Sequence, residues 1–160
     1  MIELNKKTQQ DFLNREWVQK LLDAGVDMSD AKYRIVYSNG QDFITTKDWT
    51  DKWVLHECCP TYTVSELLYK LHESIYPTID GREYSGELSF IKDAPFYIFY
   101  YDLTAKPDEE GYIPVTKNKN DKYISAVFEY PIESLASLLI QCHKKDIGSK
   151  TKDTGNISDK

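Results

Sequence analysis

Five of the six cysteine and histidine residues in this 160-residue chain fall in two short runs, His56-Glu-Cys-Cys59 and Cys142-His143. Thiolate and imidazole are the donors zinc prefers, so two soft pairs brought together could hold a metal through His56, Cys58, Cys59, Cys142 and His143. The spacing speaks against that use. Neighbouring residues of an extended chain point to opposite sides, so Cys58 and Cys59 cannot both face one ion, and no C-x-x-C or H-x-x-x-H is present. A Cys–His nucleophilic pair, built from Cys58 or Cys59 with His56 or His72, would also need a third group to orient the imidazole. The sequence supplies those residue types without their geometry. The simpler reading makes Cys58 and Cys142 small buried hydrophobes and leaves the histidines at the margins.

Other catalytic patterns have no counterpart. The acidic run Asp108-Glu-Glu110 has no alternating-aspartate calcium loop around it, and there is no G-x-G-x-x-G, P-loop, G-x-S-x-G or H-E-x-x-H. No catalytic residue and no cofactor are therefore assigned, and an enzyme is the less favoured expectation.

The aromatic content offers a better lead. Twelve Tyr, six Phe and three Trp are more than a core of this size requires, and tyrosine combines a large apolar body with a wet tip. Trp49, Tyr84, Tyr97, Tyr101 and Tyr112 are the candidates for an exposed contact surface. Bases of single-stranded nucleic acid stack on such rings, but a net charge of -6 disfavours a phosphate backbone. A protein partner, or self-association through an exposed strand edge, fits better. No apolar run approaches the roughly 20 residues that span a bilayer. The opening residues lack the order of a secretory signal, and three cysteines make no disulfide framework. The expectation is a reduced, cytoplasmic protein without membrane contact.

The elements that must position these groups are well marked. A first helix is expected from near Thr8 to Ala24, with Leu13, Trp17, Leu21 and Ala24 on one face and Gly25-Val26 as a Schellman stop. Asn39-Gly40 between Tyr33–Ser38 and Gln41–Thr46 predicts a type I′ hairpin. Thr63 and Glu66 spell a capping box, Tyr62 and Leu67 a hydrophobic staple, and Val64, Leu67, Leu68, Leu71 and Ile75 the apolar face of a helix ended near Ser74 by Pro77. Leu88–Ile91, Phe96–Leu103 and Tyr123–Tyr130 read as a three-strand meander, with a long polar insert at 104–122. The middle strand, apolar on both faces, belongs in a sheet interior. Pro131 opens a last helix with Ile132, Leu135, Ala136, Leu139 and Cys142 or His143 in its stripe.

Together these give an α+β fold: a single domain over 1–145 with three helices packed on a mostly antiparallel sheet of about five strands, and a disordered tail at 146–160.

Leu21-Leu-Asp-Ala-Gly-Val-Asp27, Cys59-Pro-Thr-Tyr-Thr-Val-Ser-Glu-Leu-Leu68 and Tyr130-Pro-Ile-Glu-Ser-Leu-Ala-Ser-Leu-Leu139 resemble landmarks of a group of small uncharacterised proteins carried by phages and mobile elements of gut Bacteroidales. These motifs are structural: a helix stop, a capping box and a helix start. The group has no assigned activity, so no catalytic residues carry over. The resemblance implies a cytoplasmic accessory protein of a mobile element, and the residues themselves imply a non-enzymatic interaction module.

Overall fold

The computed structural model describes residues 2–48, 58–79, 81–107, 109–111, 123–124 and 127–145, with only the backbone of 123 and 124. Trp49, His56, Tyr112, most of the polar insert and the tail lie outside the described residues.

The type I′ hairpin forms as the turn residues dictate. Asn39 and Gly40 take φ of +52° and +78°, and the two-residue loop sets Ser38 opposite Gln41. Its strands, β2 (Tyr33–Ser38) and β3 (Gln41–Thr46), are flanked by β1 (Ile2–Glu3) on β3 and β4 (Cys58–Thr61) on β2. This antiparallel sheet has the order β1-β3-β2-β4.

A second antiparallel sheet carries the rest: β5 (Ser74–Ile75), β7 (Arg82–Asp93), β8 (Phe96–Ala105) and β9 (Tyr123–Ile124) in that order, with β6 (Thr78–Ile79) also pairing with β7. The expected single sheet of about five strands is thus corrected to two sheets. The physical reason lies in the pairings: β4, before the capped helix, pairs with β2, and β5, after it, pairs with β7, so no ladder joins the two hairpins.

The helices follow their terminal signals more closely than their apolar stripes. Helix α1 (Arg15–Asp23) starts seven residues later than expected, because the Asn14 side chain caps the Trp17 N–H, and the residues before it form turns over 6–11 and then an extended step at Phe12 and Leu13. There Leu13 N–H donates to Tyr62 O, and Phe12 bridges to Thr63. Its end is a complete Schellman motif: Gly25 at φ +89° donates to Leu22 O and Val26 to Leu21 O.

Helix α2 (Val64–Lys70) has both halves of the capping box, but it is shorter than expected. Leu71 is already extended, and Ile75 is buried as a strand residue opposite Gly86 rather than as the last rung of a helix. Helix α3 (Pro131–Lys144) begins with Pro131 as its first residue and buries Ile132, Leu135, Ala136, Leu139 and Cys142, as the stripe requires. It packs against β8, α1 and α2, and its buried Ser134 hydroxyl accepts the Phe99 N–H of β8 at 2.8 Å. The core is shared by the three helices and both sheets, and Leu13, Leu21, Ile35, Tyr62, Leu67, Tyr101, Leu135 and Leu139 are all buried in it.

Candidate functional site

Among the described residues the cysteines and histidines do not come together in one centre. Cys58 and Cys59 sit on β4 opposite Val36 and Ile35, on opposite faces of the strand, whereas Cys142 is wholly buried in α3. Among the described residues no group of three or more His, Cys, Asp or Glu side chains is placed to hold a metal ion. Burial pushes the Cys142 thiol up to about 12. Burial also raises Cys59, whose sulfur accepts a 3.6 Å hydrogen bond from Arg15, itself paired at 2.8 Å with Asp42. A nucleophilic cysteine needs the opposite shift, toward thiolate. His143 stands beside Gly25, where a Cβ on that glycine would come within 3.4 Å of its Nε2.

The aromatic candidates divide by position along the second hairpin. Tyr101 and Tyr84 are buried and so are corrected from surface to core residues. The period-two rule points Tyr101 inward beside Leu103, and its hydroxyl donates to His72 O. Burial raises the Tyr101 phenol above its ordinary value. Tyr97 is different. It lies in the distal half of the β7–β8 hairpin, where the two strands run out beyond the core.

There Phe90, Ile91 and Phe96 are 48%, 45% and 46% exposed. These are exposed apolar residues that the tyrosine pattern missed. Phe90 stacks on Tyr97 at 6.0 Å and leans on Phe99 at 4.6 Å, and Lys92 Nζ stands 5.8 Å from the Tyr97 ring centre. Ile91 faces Ile98, and Asp93 faces Phe96, on the other side of the ladder. Part of the sequence signal was available in the alternation itself: β8 is apolar or aromatic on both faces, whereas β7 is so on one face only, apart from Ile91.

A third feature is an open cleft of about 520 Å³ between β2 and α2, with Asp30, Tyr33, Tyr62, Glu66, Tyr69 and Lys70 among its walls. Lys70 is buried, and its ammonium meets Asp30 Oδ2 at 2.6 Å, while Tyr62 donates to Asp30 Oδ1, also at 2.6 Å. Burial opposes the charge on Asp30, but the hydrogen bonds from Lys70 and Tyr62 outweigh it and hold the carboxyl below its usual range. Burial and the neighbouring Asp30 raise the Tyr62 phenol. The Lys70 ammonium is thus taken up in an ion pair inside the fold. Glu66 is committed too: one oxygen completes the capping box and the other accepts the Lys32 N–H. The cleft is held together by its own charges.

Among the described residues no helix is long and apolar enough to cross a membrane. No family model, curated protein or solved structure matches this chain.

Proposed function

We propose that this chain is a non-enzymatic interaction module that contacts a protein partner through the distal half of its β7–β8 hairpin. The observation that carries the reading is the exposure of apolar side chains on both faces of the hairpin end, Phe90 beside Tyr97 on one face and Ile91 and Phe96 on the other, in two strands whose other ends are buried in the core. Isolated exposed apolar residues are ordinary, but several adjacent ones on a rigid ladder characterise contact surfaces. Aromatic anchors backed by ordered neighbours bind at small cost in conformational entropy. The net charge of -6 favours a partner that is not an anionic polymer.

Further support comes from the groups that could have done chemistry. Cys142, Cys59, Lys70, Tyr62 and Glu66 are each held in a state suited to structure: a thiol raised by burial, a paired ammonium, a protonated phenol, a capping carboxylate. A role as an accessory protein of a mobile element is proposed on the three helical stretches alone.

The test compares proteins captured from a host lysate by the parent chain and by a Phe90→Ser/Phe96→Ser variant of equal thermal stability. Capture by the parent that is lost in the variant and kept in Cys59→Ser supports the reading. The same set captured by both chains overturns it.

A further inference from the structure

The two long edges of the distal hairpin are treated differently. On β8, the N–H groups that point away from β7 are used: Tyr97 N–H donates to Phe128 O at 2.8 Å, Phe99 N–H to the Ser134 hydroxyl, and Tyr101 pairs with Tyr123 of β9. On β7, the corresponding outward groups are used only as far as Leu88. Tyr84 N–H donates to Pro77 O, Gly86 pairs with Ile75, and Leu88 N–H donates to Glu73 O. The next outward residues in the same alternation are Phe90 and Lys92, and neither has a backbone partner on that side among the described residues. Ser89, Ile91 and Asp93 point their backbone groups inward to β8.

We infer that this edge pairs with the same edge of a second copy, antiparallel and two-fold symmetric about Ile91, so that the two hairpins form one continuous sheet. The inference rests on the contact reading above and assigns the open backbone edge of β7 to a second copy, leaving the exposed faces of the hairpin to the captured partner. The register follows from the backbone. Outward residues must face outward residues across the new ladder, which leaves three symmetric choices.

Phe90 facing Phe90 would require Lys92 to bond with Leu88 of the second copy, whose N–H is already engaged. Lys92 facing Lys92 would set like charges opposite each other. Phe90 facing Lys92 of the second copy, and the reverse, uses all four outward N–H groups. It lays an ammonium and its aliphatic stem beside each aromatic ring, as Lys92 already lies beside Tyr97 within one chain. On the opposite face this register joins Ile91 to Ile91 across the axis, with Ser89 facing Asp93. Five residues from each copy make a small interface, so the dimer is weak and forms with rising concentration.

Sedimentation of the parent chain over a wide concentration range reads the association. Phe90→Lys places Lys opposite Lys92 twice per dimer and is expected to weaken association roughly tenfold or more. Adding Lys92→Glu to that variant restores opposite charges and is expected to restore the dimer. Lys92→Pro removes only an outward N–H, so the β7–β8 ladder survives and the dimer is lost. Under oxidation Ile91→Cys is expected to cross-link to itself, beyond any background of the parent chain, whereas Asp93→Cys, displaced from its own copy by four residues, is not.

A parent chain that stays monomeric, a dimer indifferent to Phe90→Lys and Lys92→Pro, or cross-linking at Asp93→Cys in place of Ile91→Cys overturns the pairing. A monomer whose lysate capture still depends on Phe90 and Phe96 overturns only the second copy as partner, and leaves contact through the hairpin standing.

Discussion

Lys70 and Asp30 meet at 2.6 Å, but the lysine side chain is 8% exposed and the aspartate 54%, so the two ends of one ion pair have different surroundings. Removing either end therefore has different consequences. Asp30→Ala leaves a buried ammonium without its counter-charge and takes from Tyr62 its shorter hydrogen bond, although Tyr62 keeps Asp27 O at 3.2 Å. Lys70→Met leaves a carboxylate that water and Tyr62 still serve. After allowance for solvent screening at Asp30, the aspartate substitution is expected to cost about 1–2 kcal/mol and the lysine substitution less than about 1 kcal/mol. Urea denaturation of the two variants measures the difference, and the reverse order would contradict the geometry.

The same pair gives the fold an acid dependence with a definite sign. The folded-state value of Asp30 is lowered, because the hydrogen bonds from Lys70 and Tyr62 exceed the effect of burial. Its contribution to stability is then complete above the unfolded value of about 3.9 and is lost as pH falls through the lower folded value. Between about pH 5 and about pH 3 the parent chain is expected to lose more stability than Asp30→Asn. Parallel curves in urea melts across that window would show that the pair contributes nothing.

Gly86 is a test of packing beneath the hairpin. A Cβ there would stand 2.5 Å from Leu103 Cδ2 and 3.4 Å from Ile75 Cγ1, at the point where β5, β7 and β8 meet. Gly86→Ala is expected to cost about 1–3 kcal/mol through overpacking. The clash is with the end of a side chain, so Gly86→Ala combined with Leu103→Ala should destabilise by less than the sum of the two single changes. Additive losses in thermal melts would place the clash elsewhere.

Cysteine reactivity separates structural thiols from chemical ones. Cys142 is wholly buried, and its thiol is pushed up to about 12. A thiol reagent under native conditions is expected to modify Cys58 and Cys59, which are half-buried, about a hundredfold or more faster than Cys142. Rapid labelling of Cys142 in the folded chain would mean that α3 opens on the timescale of the reaction.

Local signals wrote much of this fold openly. The Asn39-Gly40 turn, the Thr63–Glu66 capping box, the Gly25-Val26 stop and the Pro131 start all sit where chemistry within a few residues demands. What was less legible depended on distant partners. Ile75 fits a helical stripe as well as a strand, and only Gly86 across the ladder makes it a strand residue. Phe12 joins a bridge to Thr63 instead of a first helical turn.

The exposed apolar end of the hairpin was half legible for the same reason. Alternation identifies Tyr97 and Tyr101 as strand residues on one face, but only the folded chain shows that Tyr101 is wholly buried while Tyr97 stacks on the exposed Phe90. Cys59 and Cys142 show the converse: residue types that suggested a site stand on a strand and on a helix, and burial raises both thiols.

The central claim is that the distal hairpin, and no buried polar group, is where this protein acts. Its most direct test is capture from a host lysate by the parent chain and by Phe90→Ser/Phe96→Ser, two chains matched in thermal stability. The expected result is a set of captured proteins that disappears with the two rings while Lys70→Met and Cys59→Ser retain it. An unchanged set with the rings removed, or a set lost with Lys70→Met or Cys59→Ser instead, would contradict the claim and move the function into the cleft or onto the cysteine strand.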